Sequence, residues 1–330
     1  MKVIIPLAGF GTRLRPHTYT RPKPLVSVAG KPVLGHILDK LVGLDIDEVI
    51  FIVGYLGDQI RDYVKVNYDF RSSYIEQEEM KGQAHAIHLA KDRLSGPLLI
   101  IFVDTIFETD VSVLDREPSD GIIFVKAVKD PRRFGVVITE HGFITQLVEK
   151  PETPVSNLAV IGLYYIKDAQ RLLACIAQLI ERDVKTKGEF FLADALQLMI
   201  HGGAKLVARP VQVWEDCGKP ETVLHTNRYL LDHGGAQEIE TDNSVLIAPV
   251  YIERTAVIKD SVVGPHVSIA GGATITRSII RDSIIDERAH IENANLSQSL
   301  IGREAHVHST SQRLNVGDSS QVDSAAHESA

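Results

Sequence analysis

A chain of 330 residues exceeds one average domain, and 44% hydrophobic with 24% charged residues is the composition of a globular fold with a large core. The net charge of -8 argues against nucleic acid or an anionic membrane as the main partner, yet allows phosphorylated ligands gripped by a few local cations. The opening Met1-Lys2-Val3-Ile4-Ile5-Pro6 is too short an apolar run for a signal peptide or membrane span, and two cysteines, Cys175 and Cys217, do not make a disulfide framework, so a cytoplasmic location is expected.

Residues 2–7 and 48–53 read as buried strands, and between them Leu34, Ile37, Leu38, Leu41 and Leu44 form a stripe at helical spacing. Residues 97–103 are a third apolar run, preceded by a helical pattern from about 82 to 93. The alternation predicts an α/β domain with a mixed, mainly parallel sheet. Strand-like runs then dominate over 121–128, 135–139, 143–148 and 158–166, before helical patterns resume over 168–181, 191–201 and 221–233. Such a strand-rich insertion on the second half is a natural place for a second substrate.

His233-Gly234-Gly235-Ala236 is a break. Beyond it Val245, Tyr251, Val257, Val263, Ile269 and Ile275 recur every six residues. After a phase slip the rhythm resumes with Ile285 and Ile291, and again with Ile301 and Val307. Small residues follow several of these by four: Thr255, Ser261 and Ala273. A hexapeptide repeat of this kind predicts a triangular parallel β-helix, each face turning one aliphatic residue inward, with about 18 residues to a coil and roughly three to four coils. Period-two strands in a sandwich are the alternative. The expected boundaries are a first domain over 1–235, a linker over 236–243, a β-helix over 244–312 and a loose polar tail over 313–330.

The chemistry concentrates after the first strand, in Leu7-Ala8-Gly9-Phe10-Gly11-Thr12-Arg13-Leu14-Arg15-Pro16 and then Arg21-Pro22-Lys23-Pro24-Leu25. Gly9 and Gly11 in a strand-to-loop turn let backbone N–H groups approach phosphate oxygens. Arg13 adds a planar, permanently charged fork, and Lys23 a point charge on a proline-stiffened loop. A dinucleotide fingerprint would need glycine where Leu14 stands, and no stretch has the P-loop pattern. A tight turn without a ligand would explain the glycines but not the four cations from Arg13 to Lys23.

Gly9-x-Gly11-Thr12-Arg13 with Pro22-Lys23-Pro24-Leu25 resembles the G-x-G-T-R…P-K-P-L element of the sugar-nucleotide pyrophosphorylases, the sugar-1-phosphate nucleotidyltransferases that make dTDP-glucose, UDP-glucose, UDP-GlcNAc, GDP-mannose and ADP-glucose. The resemblance covers residues 1 to about 232. It implies a Rossmann-like nucleotidyltransferase domain, and the repeat segment resembles the left-handed β-helix that many members carry at the C-terminus. Under it, Leu7, Ala8, Gly9, Gly11, Thr12 and Arg13 bind the nucleotide, and Gln77 with Gly82 reads the base. A glutamine amide, donor and acceptor together, suits a pyrimidine edge.

Asp104 ends an apolar run, where open α/β sheets bind ligands. By itself it could equally cap a helix. The resemblance implies that it binds Mg²⁺ together with Asp216, although here the neighbours read Val103-Asp104-Thr105 rather than Gly-Asp-Asn. Two carboxylates sharing one hard cation with phosphate oxygens is a usual way to hold Mg²⁺. Glu149-Lys150-Pro151 matches the family's E-K-P element, which implies that Glu149 grips sugar hydroxyls and Lys150 the sugar phosphate. Gly135 and Gly162 match backbone positions lining the sugar pocket. Glu189, in Gly188-Glu189-Phe190, matches another family element of unassigned role.

The implied substrates are an NTP, with dTTP or UTP favoured, and a sugar 1-phosphate, with glucose 1-phosphate favoured by family frequency. Rivals are a non-catalytic sugar-nucleotide-binding regulator and a hexapeptide acyltransferase with an unrelated front domain. Neither nucleic acid nor a membrane is expected as a partner. A homo-oligomer is, since an open coil end is readily covered by a second copy. His85 and His88 lack a third ligand for zinc. His266, His306 and His308 are read as surface residues.

Overall fold

A computed structural model of the chain describes residues 1–111 and 114–309; the tail expected over 313–330 lies outside them. Its centre is a nine-stranded sheet. The strands Leu98–Ile101, Lys2–Pro6, Glu48–Val53 and Ser72–Glu76 lie side by side and parallel. On the other flank, Leu158–Ile166 runs antiparallel to Leu98–Ile101 and joins Gly121–Ala127, Gly135–Glu140 and Phe143–Glu149 to the sheet. This is the strand-rich half expected from the sequence.

Alternation along each strand separates two cores. Val3, Ile5, Val49, Phe51 and Phe124 face one way, towards α1 (Val33–Asp39) and α2 (Gly57–Asn67). Ile4, Ile50, Ile52, Ile123 and Val125 face the other way. There they meet α3 (Gln83–His88), α4 (Ala169–Glu181) and α5 (Leu192–His201). Because both faces are covered, these strands read as continuous apolar runs rather than half-polar ones. In α4 the Asp168 carboxylate accepts from the Gln170 and Arg171 N–H groups, satisfying donors that the first turn cannot. The last helix of this domain is α6 (Pro220–Leu230).

Beyond α6 the chain winds into three parallel sheets of four strands each, as expected of a left-handed β-helix. The segment 236–243 runs along the first coil. The Gln237 N–H donates to the Val250 carbonyl at 2.8 Å, and Ile239 packs on the interior.

One detail of the repeat reading is corrected. In the first coil the inward residues are Leu246, Ile252 and Ile258, one position later than Val245, Tyr251 and Val257. Val245 and Val257 are more than half exposed. The phase slips at the first corner, where Ile258 to Val263 spans five residues, and paired positions recur 17 and then 16 residues apart, as in Val245↔Val262↔Ile279↔Asn295. A ladder of hydroxyls explains the tight corners. The Ser261 side chain donates to the Lys259 carbonyl and accepts from the Ser278 N–H, and Ser278 repeats the arrangement with Thr276 and Ala294.

The β-helix docks through one outer column, Tyr251, Ser268, Ile284 and Leu300. The Tyr251 ring covers Gly30. Ser268 donates to buried Asn227 at 2.6 Å, and Ile284 and Leu300 join the core shared with the first domain. Two ion pairs flank the column, Arg21–Asp286 at 2.7 Å and Arg228–Asp282, bidentate at 2.5 and 2.6 Å. His266, read as a surface residue, is instead three-quarters buried at this junction and bonded to Asp232. His306 and His308 are exposed.

Candidate active site

The loop leaving the strand Lys2–Pro6 has no long element of its own. It is a run of single 3₁₀ turns, Thr12–Leu14, His17–Tyr19 and Lys23–Leu25. Gly11 opens the first with φ +61°, and a Cβ there would lie 2.9 Å from the Lys23 Cβ. The missing side chain therefore lets the loop close on itself and bring Lys23 inward. At Gly9 an added Cβ would meet no protein atom, so the space beside it belongs to an open cavity.

That cavity, of about 260 Å³, lies at the carboxyl ends of the parallel strands. Leu7, Ala8, Gly9, Lys23, Gln77, Gly82 and Asp104 all line it, as does Glu189. Gln77 follows the strand Ser72–Glu76, is 5% exposed, and is held by its N–H on the Val53 carbonyl at 2.8 Å. Gly11 and Thr12 shape the loop but do not line either cavity described here.

A second cavity of about 800 Å³ adjoins the first and shares Gln83, Phe102 and Asp104 with it. Arg13, Gly135, Glu149, Lys150, Gly162 and Asp216 line it. Its floor opens where the strand Leu158–Ile166 breaks register between Val160 and Tyr164, so that the Gly162 carbonyl accepts from the Phe102 N–H. The strand-rich insertion thus builds this second cavity.

Asp104 precedes the strand Thr105–Glu108 rather than a helix, which disposes of the helix-cap reading. That strand pairs antiparallel with Val213–Asp216, bringing Asp216 opposite Thr105, and the Cys217 N–H donates to the Asp104 carbonyl at 2.8 Å. The backbones of Asp104 and Asp216, distant in sequence, are thereby neighbours, and both residues line the larger cavity. A Cβ on Gly218 would sit 2.8 Å from Asp216 Oδ1 and 3.1 Å from Arg13 Nη2, so the bare glycine lets carboxylate and guanidinium converge. Lys23 Nζ lies 3.8 Å from Asp104 Oδ2.

Glu149 Oε2 occupies the space in front of Gly135, 2.9 Å from where its Cβ would be. Burial pushes the Glu149 carboxyl above the usual glutamate range, against the opposing pull of Lys150 at 3.4 Å. Burial, with help from Glu149 and Asp104, also raises the Tyr164 hydroxyl, keeping it a neutral donor on the cavity wall. Lys150 has φ +45°, a strained backbone for a side chain of its size. Its N–H on the Phe134 carbonyl, and its own carbonyl on Lys187 Nζ, hold it there.

Sequence reasoning missed Lys187, Lys219, Trp214 and the Arg132-Arg133 pair, all of which line the larger cavity. Only the basic pair, just before Phe134-Gly135, carried a readable signal. Arg132 is held by a bidentate contact with Asp130. Of the four cations from Arg13 to Lys23, only Arg13 and Lys23 line these cavities. Arg15 lies over the Tyr19 ring, and Arg21 turns away to the β-helix. Burial raises the Cys217 thiol to about 12, which leaves it inert.

A glycine-lined pocket at the strand ends thus adjoins a larger chamber lined by cations and by the carboxylates of Asp104 and Asp216. Residues 2–233 match the model of the nucleotidyl transferase family, and the chain belongs to that family. It is 36% identical over 266 residues to the bifunctional protein GlmU of Methanocaldococcus jannaschii, covering 78% of this chain and 61% of that protein. It is 31% identical to the low-salt glycan biosynthesis nucleotidyltransferase Agl11 of Haloferax volcanii, over 98% of this chain and 99% of that one. A glucose-1-phosphate thymidylyltransferase of Streptomyces griseus is 30% identical with the same coverage. The fold also resembles that of a UDP-glucose pyrophosphorylase solved with UDP-glucose, with a TM-score of 0.61, 23% identity and coverage of 70% and 98%.

Proposed function

We propose that the chain transfers a nucleotidyl group from an NTP, dTTP or UTP in preference, to a sugar 1-phosphate, glucose 1-phosphate in preference, releasing pyrophosphate. The observation that carries this reading is the meeting of two cavities at Asp104, one lined by the glycine loop and Gln77, the other by Glu149 and Lys150. Two substrates bound there have their phosphates at the junction.

A phosphate oxygen of the sugar 1-phosphate attacks the α-phosphorus, forming the new P–O bond as the bond to the β-phosphate oxygen breaks and pyrophosphate leaves. No protein nucleophile takes part; positioning and charge do the work. Arg13 and the loop N–H groups hold the triphosphate and the departing pyrophosphate. Lys23 stands by the same phosphates. Lys150 anchors the attacking phosphate, and Glu149 accepts from sugar hydroxyls. Gln77 pairs with the base edge, beside Gly82.

Asp104 and Asp216 fit Mg²⁺, since both are hard oxygen donors lining one cavity and this ion commonly takes only one or two carboxylates, with water and phosphate completing its shell. Bound there, it would neutralise the charge shared by the reacting phosphates.

Pyrophosphate release from purified protein, across the common NTPs and several sugar 1-phosphates with and without Mg²⁺, tests the reading. The expected result is turnover that requires Mg²⁺ and prefers a pyrimidine nucleotide. Tight binding of a sugar nucleotide with no turnover for any pair would replace it with the regulator reading.

A further inference from the structure

The middle of the loop that carries Arg13 and Lys23 backs onto open space. Between it and the β-helix lies a cavity of about 490 Å³, lined by Leu14, His17 and Val26 on one side and Ile269, Ile301 and Val307 on the other. A void of that size forfeits the close packing that normally fixes a loop. Leu14 and Leu25 anchor its two ends in the first domain's core, and between them a handful of discrete contacts hold it. Thr18 donates to the Gly11 carbonyl at 2.9 Å, and Gln59 donates to the Thr20 carbonyl at 2.9 Å from an exposed position.

The strongest contact crosses to the other domain. Arg21, two residues before Lys23, is 11% exposed and places Nη1 2.7 Å from Asp286 Oδ2 and Nη2 3.7 Å from Glu287 Oε2. Asp286 is itself pinned. Its N–H donates to the Ile301 carbonyl of the next coil, and its other oxygen accepts from the Glu287 N–H. Arg303 in turn holds Glu287 at 3.0 Å. The partner of Arg21 is therefore fixed by the stacked coils, and a little-exposed, charge-assisted contact to a fixed partner transmits that rigidity.

Resting on the nucleotidyl-transfer reading, we infer that the β-helix is a positioning element of the site: Asp286, through Arg21, sets where the phosphate loop holds Arg13 and Lys23. Arg21 and Asp286 touch no substrate. They act through the loop, so their loss falls on the nucleotide and spares the sugar phosphate, which is held largely by Glu149 and Lys150 on other segments.

The second interdomain pair supplies the control. Arg228–Asp282 also ties the β-helix to the first domain, but from α6, not from the loop. In the full chain, Asp286→Asn should raise KM for the NTP by about tenfold or more, because small misplacements of phosphate ligands are costly. KM for the sugar 1-phosphate should stay within about twofold, and Asp286→Glu should recover most of the loss. Asp282→Asn should lower thermal stability comparably and leave both KM values unchanged. Hydrogen exchange of the amides from 12 to 25 should quicken in Asp286→Asn and not in Asp282→Asn. Equal effects of the two variants on KM for the NTP, or unchanged kinetics in Asp286→Asn, would overturn the inference. If the wild-type chain releases no pyrophosphate, the nucleotidyl-transfer reading fails. Loop exchange then still decides whether Asp286 positions the loop, equal exchange in both variants overturning it.

Discussion

Lys23 Nζ stands 3.8 Å from Asp104 Oδ2, tying the loop after the first strand to the carboxylate that both cavities share. On the proposed reading the pair sits where the reacting phosphates meet, so each member should act on transition-state charge more than on ground-state binding. Asp104→Asn and Lys23→Ala should each lower kcat by about 10²-fold or more, as loss of a preorganised electrostatic group does. The double variant should lose less than the product of the two, because both act on one charge. Steady-state pyrophosphate release measures this, and Asp104→Asn with near-wild-type turnover at low Mg²⁺ would remove the metal role from Asp104.

Glu149 links pH to both function and stability. Its folded carboxyl titrates above the ordinary glutamate range, chiefly through burial. The folded chain therefore holds this proton more tightly than the unfolded chain. The associated stability is present at acid pH, below the unfolded value, and is lost as pH rises through the folded value. Glu149→Gln should accordingly raise the melting temperature at pH 7 and leave it unchanged near pH 4. On the proposed reading activity runs the other way, because Glu149 as a carboxylate accepts from sugar hydroxyls without competition. The acid limb of kcat/KM for the sugar phosphate should lie above the ordinary glutamate range.

Gly135→Ala tests the wall of the larger cavity. The new methyl would come within 2.9 Å of Glu149 Oε2, the free end of a side chain that can turn aside. The fold should tolerate it, while KM for the sugar 1-phosphate rises about tenfold from displaced hydroxyl contacts. KM for the NTP should not move. Comparing the two constants in one variant checks the assignment of the cavities.

Ser261→Ala probes the β-helix. The Ser278 N–H, buried at the corner, loses its acceptor at 3.0 Å. Leaving such a donor unpaired costs about 1–3 kcal/mol. Thermal unfolding should show a clear drop in melting temperature, and Ser261→Thr, which keeps the hydroxyl, should recover part of it.

Much of this was legible in the chain itself. The runs at 2–7 and 48–53 are apolar throughout because both faces of those strands are covered, a burial that a single sequence can announce. The glycine loop stood out by its bare backbone beside clustered cations, and Lys23, Gln77, Asp104, Glu149, Lys150 and Asp216 by their order along the chain; the structure lines the two cavities with them. Even the β-helix declared itself through six-residue spacing, although its first coil was read one residue out of phase. Val245, Tyr251 and Val257 are as aliphatic or bulky as their inward neighbours Leu246, Ile252 and Ile258, and only stacking decides which of two adjacent apolar residues turns in.

Composition and motif thus determined the sheet, the repeat and the residue types of the site. Tertiary structure alone decided the rest. It set Asp104 beside Asp216 by pairing two short strands, and it sent Arg21 out of the cationic loop to Asp286. The reason is that both relations join segments far apart in sequence. Local periodicity records which residues are buried or exposed along one element, whereas the partner of a charge is fixed by how separate elements dock.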